Sequence, residues 1–321
     1  MLPLSCVEEK LLQLLFFQKE LDLADWPITR PKTIVAYEKL FLKENYNYFK
    51  HLSVMTIKNC LYNLEKLRLV KKLSPLRFCA TSDGLRLGYI LAEYTKQIHL
   101  KNLSNFINFR ELFSAMPTQF NLLDVGCGGG VSLIAMERYQ YNQRKPLLVG
   151  LDIGFQNLRL GKKFFNSISR NTKKNSQLLF IQGNAMKLPF KSQSFHIIYL
   201  RLSFYFLNPF VFLAEAKRIL KNQGVLIIIT PGYRYFWKSI IYSLWQRNFL
   251  KTIMSLYCIL NGVLHMLTGK QLKIRGKLCF AETPLFLAKT LKKSGFHVVE
   301  CKYHNNPLGS CPTIVAIAKK S

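Results

Sequence analysis

Carboxylates are scarce in this chain. Its 321 residues carry 46 Lys and Arg against 17 Asp and Glu, for a formal net charge of +29. The deficit is uneven: residues 1–110 hold 17 bases and 10 acids, whereas the rest of the chain holds 29 bases and 7 acids. Each acid kept after residue 110 is therefore informative. A surface of this sign disfavours cationic partners and suits anionic ones, such as nucleic acid, acidic headgroups or an anionic substrate. The bases are scattered rather than gathered into a tail, so solvated basic faces are the plainer alternative.

Other features are missing too. The eight cysteines form no CxxC and no paired metal-ligand spacing, so no metal is expected. In a chain this long they read as reduced thiols of a cytoplasmic protein rather than a disulfide framework. The opening "MLPLSCVEEKLLQLLFF" meets acids early and lacks a basic leader, so it reads as a helix and not as a signal peptide. No GxxxxGK[ST] is present, which removes the P-loop reading. A dinucleotide fingerprint starting at Gly126 would need a third glycine where Val131 stands. No internal repeat is visible.

What the chain does have is apolar residues in quantity, 49% of the total with 13% aromatic, enough for a sizeable core. Residues 1–110 read as a separate unit. Val7 to Leu21 has helical spacing and is expected to stop at Asp25-Trp26-Pro27, where proline breaks helices. A second helix is expected over Thr33 to Phe49. Ser53 is placed to cap a third, with Ile57, Cys60, Leu61, Leu64 and Leu67 on one face. "RLVKKL" and "RFCAT" read as strands turned at Ser74-Pro75, and Ser82-Asp83 as the cap of a further helix. This order resembles a winged-helix domain. Such modules bind DNA, here with Lys58, Lys66, Arg68, Lys71, Lys72 and Arg77 available to phosphates, or they dimerise or cover a substrate.

From residue 120 strands alternate with helices: "NLLDVG", "PLLVGLDI", "QLLFIQGN", "FHIIYL", "GVLIIIT", then "FHVVECKY" and "TIVAIAKK". That alternation predicts a parallel sheet covered on both faces, with the last two strands as a hairpin-like pair. "LLDVGCGGG" (122–130) ends the first strand in an acid and a glycine loop that lets a ligand approach the backbone. Followed in order by "LVGLDI", "IQGNAMKLPF", "SFHIIYL" and "EAKRILKNQGVLIIITP", it resembles the class I S-adenosylmethionine-dependent methyltransferases. Within these it is similar to the type 11, small-molecule group that includes the ubiquinone and menaquinone C-methyltransferases. The resemblance implies an α/β fold: a Rossmann-like seven-stranded sheet over residues 111–321, behind the N-terminal helical winged-helix-like domain of residues 1–110.

It also implies roles. Gly126, Gly128 and Gly130 would let main-chain groups contact the methionine part of S-adenosylmethionine. Asp124 would accept from its ammonium group. Asp152 would meet the ribose diol with two carboxylate oxygens, and Ile153 would pack against adenine. Asn184 and Ala185 stand where the family has Gly-Asp-Ala; the Asn184 oxygen still accepts. His196 replaces the family's acid in the fourth strand and reads as structural. The turn before the fifth strand, "KNQG", keeps Gly224 and loses a proline. "LNPF" (207–210) departs from the NPPY motif of nucleobase methyltransferases, because Asn208 as cap and Pro209 in the first turn explain it.

The cofactor carries the hard chemistry, so the protein must mainly orient an acceptor and exclude water. Tyr205, Tyr233 and His265 are positional candidates for a general base, and the sequence assigns none. The aromatic, apolar segment 233–275 reads as a helical lid over a small hydrophobic acceptor. Residues 252–269 contain no Asp, Glu, Lys or Arg and touch the lower length limit of a membrane span. A lid resting on an anionic bilayer beside Lys251, Lys270, Lys273, Arg275 and Lys277 is a further reading. The expected partners are thus a small acceptor, a second copy through the N-terminal domain, or a membrane surface. An RNA or DNA methyltransferase and a non-catalytic cofactor-binding regulator are the alternatives.

Overall fold

The computed structural model of the chain describes residues 4–18, 20–22, 48–49, 51–99, 107–137, 146–168, 177–245, 247–274, 278–304 and 313–320. Of the helix expected over Thr33–Phe49 only its last two residues are described, and they are helical; the Asp25-Trp26-Pro27 stop, Arg275 and Lys277 lie outside the described residues. The chain divides into two compact units, residues 1–102 with 155–173, and residues 103–154 with 174–321.

In the first unit, α1 (Cys6–Gln18) gives way at once to a strand, β1 (Glu20–Asp22). The helix therefore ends earlier than expected. Glu20, Leu21 and Asp22 pair antiparallel with Cys79, Phe78 and Arg77, and the ladder competes successfully with one more helical turn. Helix α2 (Val54–Lys66) is capped by Ser53, whose hydroxyl accepts from the Thr56 amide, and it buries Ile57, Leu61 and Leu64. Strands β2 (Val70–Lys72) and β3 (Arg77–Ala80) turn about Ser74-Pro75 as expected, and β1 makes the sheet three-stranded. Helix α3 (Ser82–His99) is capped by Thr81 rather than by Ser82 or Asp83. The Thr81 hydroxyl both accepts from the Gly84 amide and donates to the hairpin carbonyls. Asp83, one turn in, pairs instead with Arg86 and with Arg159 of α6 (Phe155–Ile168).

The second unit holds α4 (Phe109–Ser114), β4 (Asn121–Val125), α5 (Val131–Glu137), β5 (Leu147–Asp152), β6 (Gln177–Gln182) and β7 (Phe195–Arg201). Then come α7 (Pro209–Ile219), β8 (Leu220–Pro231), α8 (Tyr233–Trp245), α9 (Phe249–Thr268), α10 (Pro284–Lys293), β9 (Phe296–His304) and β10 (Thr313–Lys320). The sheet has seven strands in the order β6-β5-β4-β7-β8-β10-β9. The first five are parallel, and β10 runs antiparallel to both neighbours. The apolar runs explain this. Ile197, Ile198, Tyr199 and Leu200 are all buried, as are Val225 to Ile229, which is what strands covered on both faces require.

Strand order reverses between β4 and β7, so a crevice opens at their carboxyl ends. His196 has the structural part expected of it, since its Nδ1 accepts from the Asn121 amide at the start of β4. Asn208 caps α7 with Pro209 in the first turn, also as expected. At "KNQG" the left-handed residue is Gln223 (φ 60°), not Gly224. Gly224 is needed for another reason: a β-carbon there would lie 2.8 Å from the Lys221 carbonyl oxygen and 3.2 Å from that of His196.

Candidate active site

The site builds up from the end of β4. After Val125 the chain must fold back over the sheet edge, and Gly126 (φ 73°), Gly128 (φ 56°) and Gly130 (φ 69°) all adopt the left-handed conformation that side chains resist. The three differ in surroundings. A β-carbon at Gly126 would strike the Ser203 side chain, and one at Gly130 would strike the Phe180 ring, whereas Gly128 has open space around it. The outer two glycines are thus packing positions, and the middle one presents bare backbone. The amides of Gly126 and Cys127 both donate to the Leu151 carbonyl at the end of β5 (2.8 and 3.1 Å), which fastens the loop to its neighbour.

Asp152 completes that fastening. Its Oδ2 accepts from the Gly128 amide at 2.8 Å and its Oδ1 from the Gly154 amide at 2.7 Å. The sequence reading gave this carboxylate only a ligand role, and no motif signalled the second one. Ile153 follows with its side chain 74% exposed, an apolar platform beside the loop. The Asp152 carbonyl accepts from the Gly183 amide (3.0 Å), which brings the Asn184–Ala185 turn next to the same strand end. Asn184 spends one lone pair on its own turn, accepting from the Met186 amide at 2.9 Å. Ala185 packs against the apolar core.

Asp124 sits below the loop and is only 2% exposed. Burial pushes its carboxyl up to about 7; the Arg201 guanidinium pulls it down and the Asp152 charge pushes it further up. Arg201, at the end of β7, also donates to the Ser132 hydroxyl at 3.2 Å. The cradle thus holds one carboxylate fixed by amides and a second poised between charge states. An ammonium near Asp124 would stabilise its ionised form, and the oxygens of Asp152 keep lone pairs for hydroxyl donors. An open backbone, an apolar shelf and two acids fit an amino acid joined to a nucleoside.

Of the three positional candidates for a base, Tyr205 follows β7, Tyr233 follows β8 and His265 lies on α9. Tyr205 stacks on Phe206 at 4.0 Å between ring centres. The Tyr233 hydroxyl donates to the Ile259 carbonyl at 3.3 Å, and burial together with the Glu282 charge pushes it up to about 12. His265 is buried among Phe210, Phe280 and Phe286, and burial lowers its pKa. At Tyr233 and His265, then, burial works against the charged form. Glu282 was missed in the sequence. It bridges to Gly232 just past β8, is 1% exposed, has no hydrogen-bond partner for either carboxyl oxygen, and is pushed by burial up to about 8. It stands out as an acid closing a long acid-free run.

With this geometry in view, residues 123–228 match the family described as Methyltransferase domain. The match spans about a third of the chain. The enzyme class follows from it, S-adenosylmethionine-dependent methyl transfer, and S-adenosylmethionine is its cofactor. Over 116 residues the chain is 27% identical to "Putative 23S rRNA (guanine-N(1)-)-methyltransferase YxjB" of Bacillus subtilis (strain 168). That stretch is 36% of each protein, so the chain spans about a third of the relative's length. Among solved structures, a SAM-dependent methyltransferase from Methanosarcina mazei aligns over 65% of this chain and 96% of its own, with 18% identity and a TM-score of 0.46. Geranyl diphosphate C-methyltransferase from Streptomyces coelicolor A3(2) aligns over 70% of this chain and 81% of its own, with 12% identity and a TM-score of 0.46.

Proposed function

We propose that the whole chain transfers the methyl group of S-adenosylmethionine to a small, hydrophobic or aromatic acceptor, in the manner of the ubiquinone and menaquinone C-methyltransferases. The observation that carries the reading is the bare Gly128 backbone, hooked by Asp152 and set above buried Asp124. Gly126 and Gly130 shape the loop so that the open backbone at Gly128 holds the methionine part, with Asp124 at its ammonium, Asp152 at the ribose hydroxyls, Ile153 on the adenine face, and Asn184 with Ala185 at the adenine edge. An apolar acceptor is supported by the aromatic side chains of Tyr205, Tyr233, Tyr235, Phe236 and Tyr257, which cluster past β8. The helices over 233–275 act as its cover. Residues 1–110 serve as a winged-helix-like module for dimerisation or substrate cover, in a cytoplasmic protein.

One different reading has its own support: an RNA substrate, favoured by the net charge of +29 and by the name of the Bacillus relative. Calorimetry with S-adenosylhomocysteine tests the donor site. Binding that Asp152→Ala abolishes is expected, and no heat, or unchanged heat in the variant, overturns it. Transfer of a labelled methyl group to quinol-type aromatics, set against ribosomal RNA, tests the acceptor. Label on RNA alone overturns the small-molecule assignment.

A further inference from the structure

The hairpin of α8 and α9 buries polar side chains and turns apolar ones outward. Along α9 the side packed on the protein carries Thr252, Ser255, Cys258, Asn261, Gly262 and His265. The side facing water carries Phe249, Leu250, Ile253, Leu260 and Leu267, each 61–79% exposed. Helix α8 is similar on its outer side: Trp237, Ile241 and Trp245 are 60–74% exposed, while its buried side is mixed, with Ser239 and Ser243 beside Phe236 and Ile240. Hydroxyls meet between the helices, Ser239 with Ser255 at 3.0 Å and Ser243 with Thr252 at 2.7 Å. Asn261 donates to the Leu272 and Cys279 carbonyls and accepts from the Leu272 amide. Gly262 lets α9 approach the Ala281 carbonyl so closely that a β-carbon would overlap it.

Helices bathed in water turn their apolar stripe inward. Small residues and hydroxyl pairs at the contact, with apolar side chains outward, are how helices pack in lipid. Among the described residues α9 alone is long and apolar enough to cross a bilayer. Its inner side is nonetheless committed to the protein, so the hairpin is built to lie along a membrane and not through it.

Charge selects the occupant. Exposed Arg234, Lys238, Arg247, Lys251, Lys270 and Lys273 flank the apolar side chains along the chain. No Asp or Glu occurs from residue 216 to residue 281. A second copy docking by this face would bring like charges together. Acidic headgroups instead neutralise them, and tryptophans favour the headgroup boundary.

We propose that the outer face of the α8–α9 hairpin docks into the surface of a bilayer containing anionic lipid, with Trp237 and Trp245 at the headgroup level. This goes beyond methyl transfer and does not depend on which acceptor is used.

The full chain is mixed with phosphatidylcholine vesicles, with and without phosphatidylglycerol. Trp237 and Trp245 are two of its three tryptophans, so emission reports docking directly. Co-sedimentation and a blue shift with the anionic vesicles are expected, weakening as salt rises. A Leu260→Glu/Leu267→Glu variant is expected to lose at least about tenfold in binding, with an unchanged melting temperature. A Leu285→Glu control, at an exposed position of α10, is expected to bind normally. Lys251→Glu/Lys270→Glu, which leaves the apolar face intact, is expected to weaken binding to anionic vesicles alone. Three results overturn the proposal: no binding to either vesicle, binding that survives both double variants, or a dimer in solution that Leu260→Glu disperses. Heat with S-adenosylhomocysteine is read on the same samples, so a failure at the donor site is seen separately.

Discussion

The glycine loop after β4 and the α8–α9 hairpin belong to the same unit and handle polar groups in opposite ways. The loop rises from an apolar sheet, and its polar atoms are held by backbone amides in fixed positions: Gly128 and Gly154 on Asp152, Gly126 and Cys127 on the Leu151 carbonyl. The hairpin buries hydroxyls and an amide against each other and turns its apolar side chains outward. Each is a local departure from the usual rule that apolar is inside and polar is outside. In the loop, polarity at the end of the core makes a site for a charged small molecule. In the hairpin, polarity within the contact frees the outer surface for something apolar.

The comparison can be broken by substitution, beginning with the largest effect. Asp152→Ala removes a ligand and both amide anchors, so S-adenosylhomocysteine binding measured by calorimetry should fall by about 100-fold or more. Asn261→Leu in the hairpin leaves the Leu272 amide and the Cys279 carbonyl without their partner, and thermal unfolding should report a loss of about 2–4 kcal/mol. Gly130→Ala sets a β-carbon against Phe180 at positive φ and should cost about 2–4 kcal/mol of stability. Gly128→Ala, in open space, should cost only about 1 kcal/mol yet weaken the cofactor more than Gly130→Ala weakens it per unit of stability lost. Equal ratios would mean that the open backbone at Gly128 is not where the ligand lies.

A smaller effect concerns pH. The folded-state carboxyl of Asp124 is raised to about 7. Its contribution to stability is therefore full below the ordinary carboxylate range near about 4 and is lost as pH rises through about 7. Asp124→Asn should flatten that part of the profile. Binding of an ammonium beside Asp124 should release a proton near pH 6, visible as a dependence of calorimetric heat on the buffer's ionisation enthalpy. The smallest effect expected is Asn208→Ala, which removes the cap of α7 and about 1 kcal/mol.

Much of the sheet was legible because its strands are nearly continuous apolar runs, and fully covered strands have no other pattern available. The glycine loop was legible because positive φ can be met cheaply only by glycine. The errors came where a long-range partner outweighed a local preference. Leu21 fits a helix by spacing but pairs with Phe78. Ser82 and Asp83 are good cap residues, yet Thr81 reaches the amide and the hairpin at once. The tie of Asp152 to Gly128 spans 24 residues and leaves no mark in spacing. Glu282 is an isolated acid in the sequence, and only the fold leaves its carboxyl without hydrogen-bond partners. The reversed hairpin was the hardest to foresee. Its composition reads as a lid, and which face turns inward depends on residues 279–281, which come after it in the chain.

Cys127 sits in the middle of the glycine loop with its sulfur packed toward Gly150. Burial and the nearby charges of Asp124 and Asp152 raise its thiol well above the usual range. A sulfonium donor alkylates thiolates readily and protonated thiols poorly. Held in its protonated form, Cys127 is a poor nucleophile, and the folded protein is expected to leave it unmodified by thiol alkylating reagents that label it after unfolding.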